Sequence, residues 1–125
     1  MNPSQGKVWG RTALLWAGNN VEVHRIEGRA GGYCSRHRHA HKWNLFYVES
    51  GGLRVETWES AESPDVTLLG PGESCAVPPG RLHRFIVQQD CVALELYWVA
   101  LDAEDIHRED CGGIAAPQTP ARTSP

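Results

Sequence analysis

Several kinds of signal are missing from this chain of 125 residues, and each absence excludes a class of protein. No apolar run approaches the roughly 20 residues that a membrane-spanning helix needs, so we expect no membrane partner. The net charge of −3 is small, which argues against bulk affinity for nucleic acid. Long helical periodicity is scarce, and no helix-turn-helix pattern is present. The length favours a single domain.

Disulfide bonds and secretion are not indicated either. The four cysteines are widely spaced and form no CxxC pair. The first residues lack the basic start and the apolar stretch of a signal peptide. We therefore expect a cytoplasmic protein whose thiols are reduced.

Short apolar runs separated by turn residues dominate the rest of the chain. The strands expected after the first turn are 21–26, 33–41, 44–48, 53–58, 66–69, 73–77, 84–87 and 92–101. Gly-Asn-Asn at 18–20 is expected to be a turn, and Glu-Ser-Gly-Gly at 49–52 a hairpin turn. Short strands at this spacing predict an all-β antiparallel sandwich or barrel.

The two ends of the chain look different from its middle. We predict an N-terminal arm at 1–6, one barrel domain at 7–111 and a flexible tail at 112–125. Residues 102–110 are the only segment expected to form a short helix or an acidic turn. The tail is rich in Pro, Ala, Thr and Gly, and it cannot bury enough surface to offset its ordering entropy.

The most informative segment runs from Gly31 to His41, because His37, His39 and His41 occupy every second position there. In a strand, side chains at i and i+2 point to one face, about 6.6 Å apart, so two imidazoles can converge on one cation. His83 follows a rigid Pro-Pro-Gly turn that can aim a neighbouring strand at them. Imidazole is a common ligand of zinc, iron, nickel and copper. The pattern therefore predicts a metal site.

These two histidine segments, taken with their glycines, resemble the two motifs of the cupin superfamily. The residues that match the first motif are Gly31, His37, His39 and Gly51, with Asn44 in the place of the usual Glu. Those that match the second are Gly72, Pro78, Gly80 and His83, with Val87 in the place of an Asn. The flanks, which include Lys7-Val8-Trp9-Gly10, are similar to the small cupin domain of the mannose-6-phosphate isomerase type.

The resemblance implies a double-stranded β-helix, the cupin jelly-roll barrel, with a divalent Zn, Fe, Mn or Ni ion bound by His37, His39 and His83. Asn44 is a candidate fourth ligand through its neutral carbonyl oxygen, or alternatively a residue that binds substrate. Three imidazoles and an amide leave the full charge on the ion, which should attract an anionic ligand. His41 is a further candidate ligand, and the alternatives are a base at the rim or a surface residue.

Other side chains are assigned by position alone. The candidates for substrate binding are Asn44, Phe46 and Arg81. Five basic residues could form a positive mouth that draws phosphate or carboxylate groups, namely Arg36, Arg38, Lys42, Arg81 and Arg84. The alternative is that strand alternation turns Arg36 and Arg38 into solvent. His24 and His107 belong to no motif and are expected on the surface.

Two classes of function fit these observations. One is a metal-dependent enzyme acting on a small metabolite, either an isomerase, suggested by the flanks, or a dioxygenase-like enzyme with iron on three histidines. The isomerase activity is not transferred, because His37 stands where that group tends to have Gln. The other is a non-catalytic cupin that binds or senses a metabolite, favoured because no inward carboxylate is assigned.

Two expectations remain open at this stage. Four carboxylates are candidates for the site only if one of them faces inward, namely Glu49, Glu56, Glu73 and Glu95. Small cupins commonly pair, and a homodimer formed through residues 8–16 is expected because exposed sheet edges need to be closed.

Overall fold

The computed structural model describes residues 4–60, 62–99 and 104–117, and within them the protein is all-β, as predicted. Its seven strands are β1 (Ser4–Lys7), β2 (Gly10–Gly18), β3 (Val21–Gly28), β4 (Trp43–Trp58), β5 (Asp65–Leu69), β6 (Ser74–Val77) and β7 (Leu82–Trp98). No helix long and apolar enough to cross a membrane occurs in the described segments.

The strands form an antiparallel sheet in the order β1-β2-β3-β7-β4-β5, and β6 also pairs with β4. β4 and β7 pair with each other along almost their whole length, and this pairing divides into two halves. In half A, residues 43–50 of β4 pair with residues 92–98 of β7, flanked by β3 and β6. In half B, residues 53–58 of β4 pair with residues 82–87 of β7, flanked by β5.

Both long strands bend at the junction of the two halves, where the register shifts between Val48 and Leu53. Gly51 has a φ of +79°, and a Cβ atom there would lie 2.0 Å from the carbonyl oxygen of Asp90. Only glycine fits such a position, which is typical of a bulge. The hairpin turn predicted at 49–52 is therefore wrong, and the two strands predicted at 84–87 and 92–101 form one continuous strand through Trp98.

The segment from Tyr33 to His41 is a second correction, because it is not a regular strand. Two isolated bridges tie it to β7, one between Tyr33 and Ile86 and one between His37 and His83. Both backbone hydrogen bonds of the second bridge are formed, at 3.0 and 2.8 Å. The histidine segment is thus fastened to β7 at the position of His83 while the rest of it remains irregular.

The structure confirms the turn predicted at 18–20, and it also bears on the predicted ends of the chain. The turn at 18–20 is confirmed, since Asn19 and Asn20 have φ values of 51° and 67° and join β2 to β3 in the way a two-residue hairpin requires. The predicted boundary between arm and barrel falls inside β1, which pairs with β2. Residues 104–117 contain no helix. The rest of the segment at 102–110 and most of the tail lie outside the described residues.

Inward-facing side chains from both halves form the hydrophobic core. Its buried members are Ile26, Phe46, Val48, Leu53, Val55, Leu69, Val77, Phe85, Val87, Cys91 and Ala93. Each fully buried large side chain of this kind contributes about 1.5–3 kcal/mol to stability. Asn44 and His83, which are 0% and 1% exposed, lie in the same interior. Two polar side chains are thus placed where each needs a partner.

Candidate metal centre

Three of the histidines singled out by the sequence meet at one place. His37, His39 and His83 each offer one ring nitrogen, and these nitrogens all lie within 4.8 Å of one another. The ring centroids are 4.6 to 5.4 Å apart. Two nitrogens bound to one tetrahedral ion would be about 3.4 Å apart, since each bond is about 2.1 Å. The nitrogens would therefore have to approach one another by no more than about 1.4 Å to bind one ion.

Backbone carbonyl oxygens decide which nitrogen of two of these rings is available. Nδ1 of His37 lies 2.7 Å from the carbonyl oxygen of Ser35, and Nδ1 of His83 lies 2.9 Å from that of Arg81. Because a carbonyl oxygen only accepts, we assign the hydrogen to Nδ1 in both rings. Each Nε2 then keeps a lone pair for a metal ion, the arrangement in which outer hydrogen bonds orient ligating histidines.

The third ring has a nitrogen without a partner. Nε2 of His39 is buried and, among the described residues, has no hydrogen-bond partner. Burial, together with the neighbouring His37 and His83, lowers the pKa of His39 to about 4. Burial also lowers the pKa of His83. His39 and His83 are therefore neutral at physiological pH, which is the state that binds metal.

Asn44 brings a second acceptor to the same place. Its Oδ1 atom lies 3.1 Å from Nε2 of His83, while its Nδ2 group donates to Glu95 and to the carbonyl oxygen of Leu96. With the hydrogen of His83 on Nδ1, a lone pair of Nε2 faces the oxygen of Asn44. Two acceptors that face each other repel, and a cation bound between them would remove this repulsion. The chemistry of the donor set therefore fits a divalent metal ion bound by the three histidines, and Asn44 as an oxygen ligand stays a prediction.

A half-buried carboxyl group, that of Glu95, lies next to Asn44. Glu95 accepts hydrogen bonds from Nδ2 of Asn44, at 3.3 Å, and from the hydroxyl group of Tyr97. Burial raises the pKa of Glu95, whereas both hydrogen bonds favour its anionic form. A cation in the histidine cluster would act in the same direction as the hydrogen bonds. The ring of Tyr97 in turn packs edge-on against His39, with centroids 5.1 Å apart.

A cavity of about 410 Å³ adjoins the cluster, and its size suits a small ligand. His37 is the member of the cluster that lines it. The other lining residues include Trp9, Thr12, His24, Cys34, Glu95 and Tyr97. Cys34 packs against the core, and burial raises the pKa of its thiol to about 11. It is therefore a protonated thiol at neutral pH in the metal-free protein, and it is not among the described residues that converge on the candidate metal site.

The remaining predicted site residues lie outside the cluster. His41 is exposed. Phe46 is buried in the core, where its ring lies 6.4 Å from that of His83. Arg81 orients His83 through its carbonyl oxygen, while its side chain pairs with Glu59 at 3.5 Å. Neither Phe46 nor Arg81 is among the described residues that line the cavity, and substrate binding by them stays a prediction.

The five basic residues do not form an open positive mouth. Arg36 and Arg38 are exposed, as the alternative prediction stated. Arg84 binds the buried Glu56 at 2.7 Å on the outer face of the sheet, and Lys42 lies 3.4 Å from Glu22. Carboxylates therefore compensate three of the five, counting Arg81. Attraction of an anion to the site has to come mainly from a bound metal ion.

Three residues of the cavity have no motif in the sequence. His24 is not the surface residue that was expected, because its side chain is 19% exposed, lies 3.4 Å from Glu22 and packs edge-on against Tyr97. Glu95 is the one of the four candidate carboxylates that lines this cavity, and Tyr97 was not singled out. Both keep the parity of His83 and Phe85 along β7. This alternation is the signal that could have found them, since side chains two residues apart share a face.

Solved structures with the same fold support this architecture. An RmlC-like cupin from Shewanella frigidimarina NCIMB 400 is 20% identical, with a TM-score of 0.66 over 83% of this chain and 87% of that chain. KdgF from Halomonas sp. is 17% identical, with a TM-score of 0.63 over 74% and 80%. Bacillus subtilis oxalate decarboxylase, which has Mn(II) centres, is 14% identical, with a TM-score of 0.70 over 84% and 29%. At these identities the likeness establishes the fold alone.

Sequence comparison gives the family. No curated protein matches this sequence. The family model described as "Cupin domain" matches residues 24–100, which include all three clustered histidines and both long strands of the sheet. The fold, the position of the three histidines and this match agree: the chain belongs to the cupin family, and its described part is a cupin jelly roll.

Proposed function

We propose that this cupin binds one divalent metal ion through His37, His39 and His83 and uses it to hold a small anionic or sugar-like metabolite in the adjoining cavity. The observation that carries the proposal is the convergence of three ring nitrogens within 4.8 Å, one of which is buried without a partner. Burying a polar atom without a hydrogen bond costs free energy, which a bound ion would offset.

The anionic character of the ligand follows from charge. Three neutral imidazoles leave both positive charges on a divalent ion, and open coordination positions remain for a ligand. The ion would therefore favour carboxylate, phosphate or other oxyanion groups. Hydrogen-bonding groups on the cavity wall, among them Thr12 and His24, would suit a hydroxylated ligand.

The choice of metal is guided by ligand type. Imidazole suits zinc, iron, nickel and copper, whereas oxygen ligands such as the amide carbonyl group of Asn44 suit manganese. The Mn(II) centres of the oxalate decarboxylase neighbour make Mn²⁺ the first ion to test beside Zn²⁺ and Fe²⁺. The low identity to that neighbour transfers neither its substrate nor its reaction.

A catalytic role is the second candidate, and the inward-facing Glu95 favours it. The sequence alone favours a cupin that binds its ligand without catalysis, because it assigns no carboxylate to the interior. Glu95 and Tyr97 now line the cavity that also contains His37. A carboxyl group and a phenol beside a Lewis-acidic ion are groups that can exchange a proton with a bound substrate.

Metal analysis of purified protein tests the proposal. Wild-type protein incubated with Mn²⁺, Fe²⁺ or Zn²⁺ and then desalted should retain about one ion per chain, as measured by inductively coupled plasma mass spectrometry. Replacement of His83 by Gln should remove this retention, because the chain loses the most buried of the three ligands.

His41→Gln is the matched control, because His41 is exposed and lies outside the cluster. It should retain as much metal as the wild type. Full metal content in His83→Gln, with circular dichroism showing a folded protein, would contradict the proposed ligand set. Equal losses in both variants would contradict it as well.

A further inference from the structure

We infer that Glu95 is a positioning residue of the metal centre: its carboxyl group holds Asn44 and Tyr97 against the histidine cluster and supplies the negative charge that the ligand set lacks. The inference rests on the proposed metal site and names a residue that no motif assigns. It explains how the chain manages without the acidic residue that the cupin pattern has at position 44.

The hydrogen bonds of Glu95 reach the cluster by two routes. Through Asn44, the carboxyl group fixes which end of the amide faces His83. Since Nδ2 donates to Glu95 and to the carbonyl oxygen of Leu96, Oδ1 is left pointing at Nε2 of His83. Through Tyr97, the same carboxyl group fixes a ring that packs against His39. One side chain thus orients the surroundings of two of the three histidines.

Charge gives the second argument. Three imidazoles and an amide carry no charge, so nothing in contact with the ion would offset its two positive charges. Glu95 is one amide group away, with hydrogen-bond distances of 3.3 and 3.1 Å on the two sides of Asn44. In a buried site such a charge acts strongly, because the effective dielectric constant is far below that of water. The carboxylate of this site therefore lies one residue further from the ion than the acidic residue of the cupin pattern does.

A purely structural role does not account for this position. Buried carboxyl groups that serve structure alone are paired with cations, as Glu56 is with Arg54 and Arg84. No Lys or Arg ion pair of Glu95 occurs among the described residues, and its two partners are neutral donors. Electrostatic interactions with His24 and His37 favour the anionic form of Glu95, and a cation in the histidine cluster would add to them.

Zn²⁺ affinity measured by competition with a chromophoric chelator, at one fixed pH, tests the inference. Glu95→Gln keeps the shape of the side chain and removes its charge, and it should weaken Zn²⁺ binding about 10-fold or more, as loss of outer hydrogen-bond partners of a metal site typically does. Glu22→Gln is the matched control. It removes a carboxylate that acts on His39 only at a distance and does not touch Asn44, so it should lower the affinity much less than Glu95→Gln does.

A double variant separates positioning from folding. In Asn44→Asp with Glu95→Gln the carboxylate returns to the position next to His83, so most of the affinity lost in Glu95→Gln should be recovered. Thermal unfolding of each metal-free variant confirms that it is folded. Wild-type protein that binds no Zn²⁺ would refute the proposed function itself. Wild type and Glu95→Gln binding with equal affinity, or a double variant no better than Glu95→Gln, would refute only the role of Glu95.

Discussion

Two histidines of the cluster are oriented by the same local device. Both His37 and His83 donate Nδ1–H to the carbonyl oxygen of the residue two positions earlier, Ser35 in one case and Arg81 in the other. The carbonyl group belongs to the backbone, and at His37 the hydroxyl group of Ser35 lies 3.2 Å from the same nitrogen. The sequence could show that histidines recur at metal-ligand spacing, but this orientation depends on backbone angles that no residue type encodes directly.

The low pKa of His39 predicts how the metal-free protein responds to acid. Burial, His37 and His83 lower this pKa from 6.5 to about 4 in the folded state. Between these values the unfolded chain binds more protons than the folded protein, so stability is full above about pH 6.5 and falls as the pH decreases toward 4. Urea denaturation with a chelator present should show a falling free energy of unfolding over this window.

His39→Gln provides the comparison for that experiment. The variant lacks the titrating ring, so its free energy of unfolding should depend less steeply on pH between 6.5 and 4. His83 contributes a slope of the same sign, because burial lowers its pKa too. Identical pH profiles for wild type and variant would show that His39 titrates in the folded state as it does in the unfolded chain.

At the level of residues, the sequence predicted the cluster and Asn44, but it gave Glu95 only as one of four candidate carboxylates and did not single out Tyr97. His37, His39 and His83 could be found because two histidines lie two positions apart and the third follows a Pro-Pro-Gly turn. Glu95 and Tyr97 belong to a segment that looks like any half-buried strand. Their importance comes from contacts with residues that are distant in sequence. Asn44 reaches Glu95 through the pairing of β4 with β7, and His39 packs against Tyr97 from the irregular segment that is fastened to β7.

At the level of elements, the bend shared by β4 and β7 governs the fold. Gly51-Gly52 carries the local signal of a hairpin turn, and nothing nearby in the sequence distinguishes a turn from a bulge. The distinction is made by β7, which pairs with β4 on both sides of the glycines. A local sequence pattern does not show pairing with a strand that is so distant in sequence. The turn at Asn19-Asn20 was predicted correctly because the two strands that flank it pair with each other.

Gly51→Ala should therefore destabilise the protein strongly. A Cβ atom there would lie 2.0 Å from the carbonyl oxygen of Asp90, at a φ of +79°. We expect a loss of about 3 kcal/mol or more in the free energy of unfolding, because the backbone has to move as well as accept a strained angle. Chemical denaturation followed by tryptophan fluorescence measures it.

Gly52→Ala is the natural control for that substitution. The nearest atom to a Cβ at this position is 3.6 Å away, an ordinary contact distance, and its φ is not in the left-handed region. The loss should be much smaller than for Gly51→Ala. Equal losses would mean that the bend tolerates a side chain beside Asp90.

At the level of the whole molecule, the free edge of the sheet bears on assembly. β1 is an edge strand, and on the neighbouring β2 the side chain of Trp16 is 60% exposed. Covering such a residue and the edge beside it would be favourable, so the homodimer through residues 8–16 stays our prediction. Light scattering coupled to size exclusion should give the mass of two chains, and Trp16→Glu should shift it toward one.

Ile114→Glu tests whether that shift is specific. Ile114 is also fully exposed, but it lies outside the sheet. Its replacement should leave the mass unchanged. A wild-type mass of one chain, or the same shift in both variants, would contradict dimerisation through the β1–β2 edge.

The contact between His83 and Asn44 has a consequence for the motions of the barrel. His83 lies on the part of β7 that belongs to half B, and Asn44 on the part of β4 that belongs to half A, so their 3.1 Å contact spans the interior between the halves. An ion bound there would cross-link them. Local opening of either half would then require the ion to leave, and amide hydrogen exchange at both ends of the molecule should slow together when metal is added.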